Sequence, residues 1–225
     1  MKTKQTDLLL WCGIFSSLFY VAMNVIVPLQ WPGYDPAAQV VSELSAIGAP
    51  TRPLWVALGM VWGVLVAAFG IGVWLRAERD RSLRVASAAL IISSIIGFYW
   101  PPMHMRGAAP TLTDTLHIVW TVPTLLLMLV TIAFGAAAFG RRFRRFSLGT
   151  VATFMVFGIL TFRDAPGIAA NLPTPWIGIW ERINIGAYMV WVIVFAIALL
   201  RPRHYATPRE SSTDPQDFFM KIRAT

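Results

Sequence analysis

Six stretches of 15 to 24 residues, at 8–28, 54–75, 85–100, 116–139, 148–162 and 177–200, dominate this chain. The first five contain no Asp, Glu, Lys or Arg, and the sixth contains a single adjacent pair, Glu181 and Arg182. None alternates apolar and polar residues with period two, so a membrane β-barrel is not indicated. Helices are the remaining structure that satisfies every backbone group in hydrocarbon. Four of the stretches hold 21 to 24 residues, enough to cross a core that needs ~20. The stretches 85–100 and 148–162 fall roughly 6–8 Å short of that core at the α-helical rise. Their shortfall predicts helices that continue among polar residues inside a protein-lined cavity. Charged residues make up 13% of the chain, about half the roughly 25% of soluble domains. The expectation is an all-α, polytopic six-transmembrane-helix bundle.

The basic residues give it an orientation. Residues 1–7 and the second-to-third and fourth-to-fifth connections, together with the tail 201–225, carry 15 of the 19 Lys and Arg residues. Only Arg52, Arg106, Arg163 and Arg182 fall on the other side. The positive-inside rule then makes both termini cytoplasmic, in a multi-pass protein of the plasma membrane. Fifteen basic residues oppose six acidic ones on the inner side, and four oppose five on the outer side. The excess therefore reports lipid contact and orientation, not a nucleic-acid partner. Cys12 is the lone cysteine, so no internal disulfide can form. Asn24, the one amide of the first span, is expected to bond across to another helix. Gly59, Gly63 and Ala67 are expected to let the second span pack closely. The proline-bearing tail is expected to be disordered, apart from a short apolar patch at 218–222.

The external connections carry residues that topology leaves unexplained. In the first, Asp35 and Pro36 read as a helix start and Gly48 as its stop, predicting a short interfacial helix with Glu43 off its apolar stripe. Glu43 there either faces solvent or joins a site. In the second, Thr113 or Asp114 caps the fourth span, and Asp114 and His117 share a helix face, with His104 and Arg106 just upstream. In the third, Glu181, Arg182 and Asn184 open the last span, where ionisable groups are costly unless paired or functional. Together Glu43, His104, Arg106, Asp114, His117, Glu181, Arg182 and Asn184 predict a polar pocket at the extracytoplasmic face.

The segments SELSAIGAPTRPLW, PMHMRGAAPTLTDTLHI and WERINIGAYMVWVIVFAIALLR resemble a bacterial and archaeal membrane family, domain of unknown function 998. The likeness runs over roughly residues 8 to 200. It implies a multi-helix membrane protein and supplies neither substrate nor catalytic residue.

Three functions follow from the residues themselves. The first is binding of a small or lipid-like ligand in the outer pocket. The second is a metal-dependent hydrolase or transferase acting on lipid at the outer leaflet, with His104, Asp114, His117 and Glu181 as a mixed N/O set for a divalent ion. The simpler account of that set is Asp114 as helix cap and His117 as a hydrogen-bonded histidine, with no cofactor. The third is a small transporter, which mid-span charges or an inverted repeat would favour and which this chain lacks. Arg182 is expected to pair with Asp114 or Glu43. Membrane lipids are the expected partners, and the oligomeric state is open.

Overall fold

The computed structural model describes residues 2–201; the expectations for the rest of the tail lie outside the described residues. Six long helices form in chain order: α1 (Lys2–Ile26), α2 (Arg52–Ala77), α3 (Arg81–Gly97), α4 (Leu112–Ala137), α5 (Arg141–Asp164) and, after a single-turn α6 (Pro166–Ala169), α7 (Ile177–Leu200). Five of the six are long and apolar enough to cross a membrane, and α3, with 17 residues, is not among them. Among the described residues no strand forms beyond one isolated bridge between Ile47 and His104.

The helices form a ring. Each packs on its neighbour in sequence, and α1 closes the circle against α7. The arginine-rich connections lie at one end of the ring, the basic end. The long loops 31–51, 98–111 and 165–176 lie at the other, the rim end.

Three boundaries differ from the sequence expectation, each for a local reason. Helix α5 begins at Arg141, because Gly140 caps it and the basic run RRFRR forms its first turns. From that run Arg144 donates to the carbonyls of Phe139 (3.0 Å) and Ala137 (3.3 Å), satisfying acceptors left over at the end of α4. The predicted shortfall of this span disappears; that of α3 remains. Helix α4 begins at Leu112, with Thr111 as its N-cap. Asp114 reaches back to accept from the Thr111 N–H at 2.8 Å, the return half of a capping box. The short interfacial helix expected to start at Asp35 does not start there. Asp35 closes only a turn, accepting from the Ala37 N–H at 2.9 Å. Val40 is then extended (ψ 154°), and a 3-10 helix follows at Val41–Ser45.

Packing divides the ring lengthwise. At the basic end Leu10, Phe69, Val73, Leu83, Trp191 and Phe195 are fully buried. Trp191 stacks on Phe195 at 4.8 Å between ring centroids, and its indole donates to Ser147 Oγ at 2.8 Å. Gly135 of α4 makes room for it: a methyl group there would lie 2.7 Å from the Trp191 ring. On α2, Gly70 and Gly63 offer their carbonyls to Ser87 (2.7 Å) and Ser94 (2.8 Å) of α3. Gly63 thus packs as expected, but Gly59 faces open space. Asn24 donates to the Tyr20 carbonyl of its own helix at 3.0 Å, one turn back, and not across to another.

Candidate functional site

The rim loops are tied together by charge. Glu43 is 1% exposed, so neither an off-stripe nor a solvated position describes it. Its Oε1 accepts from the Val40 N–H (3.2 Å) and from Arg106 (2.9 Å). Its Oε2 accepts from Gln39 Nε2 (2.8 Å) and from Arg106 Nε (3.0 Å). The bidentate pairing matches the fork of the guanidinium to the carboxylate. Arg106 also donates to the carbonyls of Ala38 (2.8 Å) and Leu172 (3.4 Å). One side chain thereby joins all three rim loops. Gly107, at φ +80°, turns the chain directly after it, a conformation suited to glycine.

Arg182 does not pair with Asp114 or Glu43. Its guanidinium donates to the carbonyls of Pro36 (2.7 Å), Gln39 (3.0 Å) and Gly178 (3.1 Å), and to the Tyr34 hydroxyl (2.6 Å). Glu43 is already matched by Arg106, and Arg182 satisfies the backbone of the first loop. Tyr34 donates in turn to the Val40 carbonyl at 3.0 Å. Burial pushes its phenol up to about 12, against the pull of the nearby Arg182. Gly178 permits this docking: a methyl group there would collide with the carbonyls of Gln39 and Pro36. Neither Tyr34 nor Gly178 stood out in the sequence, where the one reads as an interfacial aromatic and the other as an ordinary helix residue.

The remaining predicted residues separate into two groups. His104 and Asp114 form a pair, with Nδ1 to Oδ2 at 2.9 Å, and Asp114 Oδ1 accepts from the His104 N–H at 2.7 Å. His117, on the same helix, turns instead to the third-to-fourth connection. Its Nδ1 lies 2.7 Å from the Pro101 carbonyl and 3.0 Å from the Trp100 indole nitrogen. The Trp100 ring packs edge-on against the imidazole at 5.5 Å. Glu181 accepts from the Val41 N–H. Among the described residues, no three His, Cys, Asp or Glu side chains converge as a metal site would require. His104, Asp114, His117 and Glu181 are thus divided between three different partners rather than gathered around one point.

Below the rim lies a cavity of about 650 Å³. His104, Arg106, Asp114, His117, Glu181 and Asn184 all line it; Glu43 and Arg182 stand behind its wall and hold the loops. It follows α4 from Asp114 to Met128 and α7 from Ile177 to Val192, roughly 21–23 Å of helix at the α-helical rise. Phe69, Leu90 and Phe154 lie at its deep end, where the aromatic packing of the basic end begins. Most of the wall is apolar, and polar groups are few. Helices α4 and α5 form the thinnest seam of the ring.

A ring of long apolar helices around an apolar cavity defines the class, an integral membrane protein with an internal chamber. The chain matches the family model described as Protein of unknown function (DUF998) over residues 14–198, and it belongs to that family. No curated protein and no solved structure matches it.

Proposed function

We propose that this chain is a six-span plasma-membrane protein with both termini cytoplasmic, and that its hollow half opens outward and holds an amphipathic, lipid-like ligand. The observation that carries the reading is the cavity itself. A chamber of about 650 Å³ falls within the ~300–1,000 Å³ range of small-molecule sites, with the apolar wall and few convergent polar groups such sites share. The concentration of basic residues at the opposite end supports the orientation. Membership of α3 in the ring supports the sixth span, since Ser87 and Ser94 donate to α2 carbonyls and are thereby satisfied without water. The thin seam between α4 and α5 gives a membrane-dissolved molecule a lateral way in.

Native mass spectrometry of the full chain released from membranes tests this. The expected result is one retained lipid-like molecule per chain, lost when the cavity is filled by Thr124→Trp. Both proteins at the masses of their bare chains, with nothing retained, overturn it. A cysteine introduced at Ala108 in a Cys12→Ser background should react with an impermeant maleimide in intact cells; protection until lysis overturns the orientation.

A second reading, a hydrolase or transferase acting on lipid at the rim, is favoured by one observation. Asp114 orients His104 through Nδ1, which directs Nε2 as a general base would require. Cleavage of a fluorescent lipid ester by proteoliposomes, abolished by His104→Ala, supports it; absence of cleavage removes it.

A further inference from the structure

The arginines of the basic end are not all engaged alike. Arg76 pairs with Asp7 at 2.6 Å, Arg84 donates to the Glu78 carbonyl, and Arg144 folds back onto the end of α4. Arg141 and Arg142, in the first turn of α5, and Arg201, directly after α7, are different. All three are exposed, and their guanidinium groups make no hydrogen bond or ion pair among the described residues.

These three share one groove. It has a volume of about 580 Å³ and runs between the start of α5 and the last two turns of α7. Ten residues form its walls, three of them arginines and none acidic. The acids of this end lie elsewhere: Asp7 pairs with Arg76, Asp80 caps α3, and neither they nor Glu78 border the groove. Along α7 the wall turns from the charge of Arg201 to the apolar Ile197 and Val194, about 10 Å towards the middle of the helix. Phe146 faces them from α5, and Ile197 is 39% exposed. Charge at one end and apolar surface at the other make the groove amphipathic.

The arginines also stand against the local field. A helix N-terminus is the positive end of the macrodipole, where basic residues are unfavourable. Helix α5 has no acidic residue in its first turn, and its N-cap, Gly140, supplies no side-chain acceptor. Membrane orientation accounts for positive charge in this connection. It does not require that charge to meet the arginine of α7 across an apolar groove. A phosphate there would accept from the guanidinium groups and offset their repulsion from the helix end. A soluble anion leaves the apolar wall bare, and an uncharged lipid leaves the arginines unmatched. Basic pockets between spans on the cytoplasmic side suit anionic headgroups for this reason.

We propose that this groove binds one anionic phospholipid, its phosphate held by Arg141, Arg142 and Arg201 and an acyl chain laid along Phe146, Val194 and Ile197. No residue borders both this groove and the chamber, so the inference stands apart from the ligand-binding reading above.

The test offers the full chain, in a neutral detergent, equal amounts of phosphatidylglycerol and phosphatidylcholine with identical acyl chains. Bound lipid is counted by native mass spectrometry. Phosphatidylglycerol should be preferred at least about tenfold, the equivalent of one charge-assisted hydrogen bond. Arg142→Gln with Arg201→Gln should abolish the preference. Arg79→Gln with Arg81→Gln, which removes equal charge outside the groove, should keep it. Gly140→Asp gives a second readout that does not depend on removing arginines. Its Cβ enters open space, and an N-cap carboxylate favours the helix, so the thermal midpoint should be no lower while the preference is lost. Filling the chamber by Thr124→Trp should leave the preference intact; its loss there places the lipid in the chamber and overturns the groove. No preference in the wild type, or equal loss in both double variants, overturns it as well. Displacement of the lipid by an equal concentration of inorganic phosphate overturns the lipid in favour of a free anion.

Discussion

The basic half and the rim half of this ring are built from similarly apolar helices but are held together differently. At the basic end, Phe195 packs against Phe69, Phe143 and Trp191, and Phe143 against Trp191. At the rim end the same helices stand apart around a chamber, and polar groups of the loops bridge the gap. In a bilayer, lipid tails are as apolar as the side chains, so association comes from close packing and hydrogen bonds rather than from exclusion of water. Where packing is given up for space, the Glu43–Arg106 pair and the carbonyl bonds of Arg182 must hold the helices. A hollow interior thus explains why so much polar chemistry sits at one end.

The largest effect should come from breaking that polar closure. Arg106→Ala leaves Glu43 buried without its partner, which typically costs about 3–5 kcal/mol. Denaturant unfolding in detergent should show a loss of this size, largely recovered when Glu43→Gln is added. If the single variant is as stable as the wild type, the rim does not depend on this pair.

Next in size is a disturbance of the packed half. Gly135→Ala places a methyl group against the Trp191 ring, and overpacking of this kind costs typically about 1–3 kcal/mol. Ligand retention should be unchanged, because Gly135 lies beyond the cavity floor. A drop in retention without a drop in stability would show that the two halves are not separate.

How much of this was legible beforehand follows the same division. The helices were readable because uncharged runs such as 54–75 have few other options in lipid, and positive charge marked the basic end. Six of the eight proposed site residues reach the cavity wall, since polar groups at the ends of spans converge wherever helices share a loop end. The pairings were not readable. Arg106 and Arg182 are alike in sequence, and only the folded loops decide which meets Glu43. The 3-10 turn was hidden because Asp35–Pro36 signals a helix start but cannot say that Val40 will extend after one turn.

A smaller effect is expected from the His104–Asp114 pair. Asp114→Ala removes a cap for α4 and the acceptor for His104, and caps are worth typically about 1 kcal/mol. Asp114→Asn keeps an acceptor for the Thr111 N–H and should recover most of that loss. If the pair is only structural, lipid-ester cleavage by proteoliposomes is absent with every variant; if it acts as a base, His104→Ala abolishes cleavage at a stability cost no larger than that of Asp114→Asn.

The smallest change should be a gain. Gly59 sits in the interior of α2, lines the chamber and has no heavy atom within 4 Å of where a Cβ would be. Glycine there is conformationally costly, and nothing packs against it in return. Gly59→Ala should raise stability by about 0.5–1 kcal/mol through helix propensity alone, where the same change at Gly135 lowers it. Thermal unfolding of the two variants side by side measures the contrast directly. Should Gly59→Ala destabilise as much as Gly135→Ala, the rim half would be packed as tightly as the basic half, and the space assigned to a ligand would belong to protein.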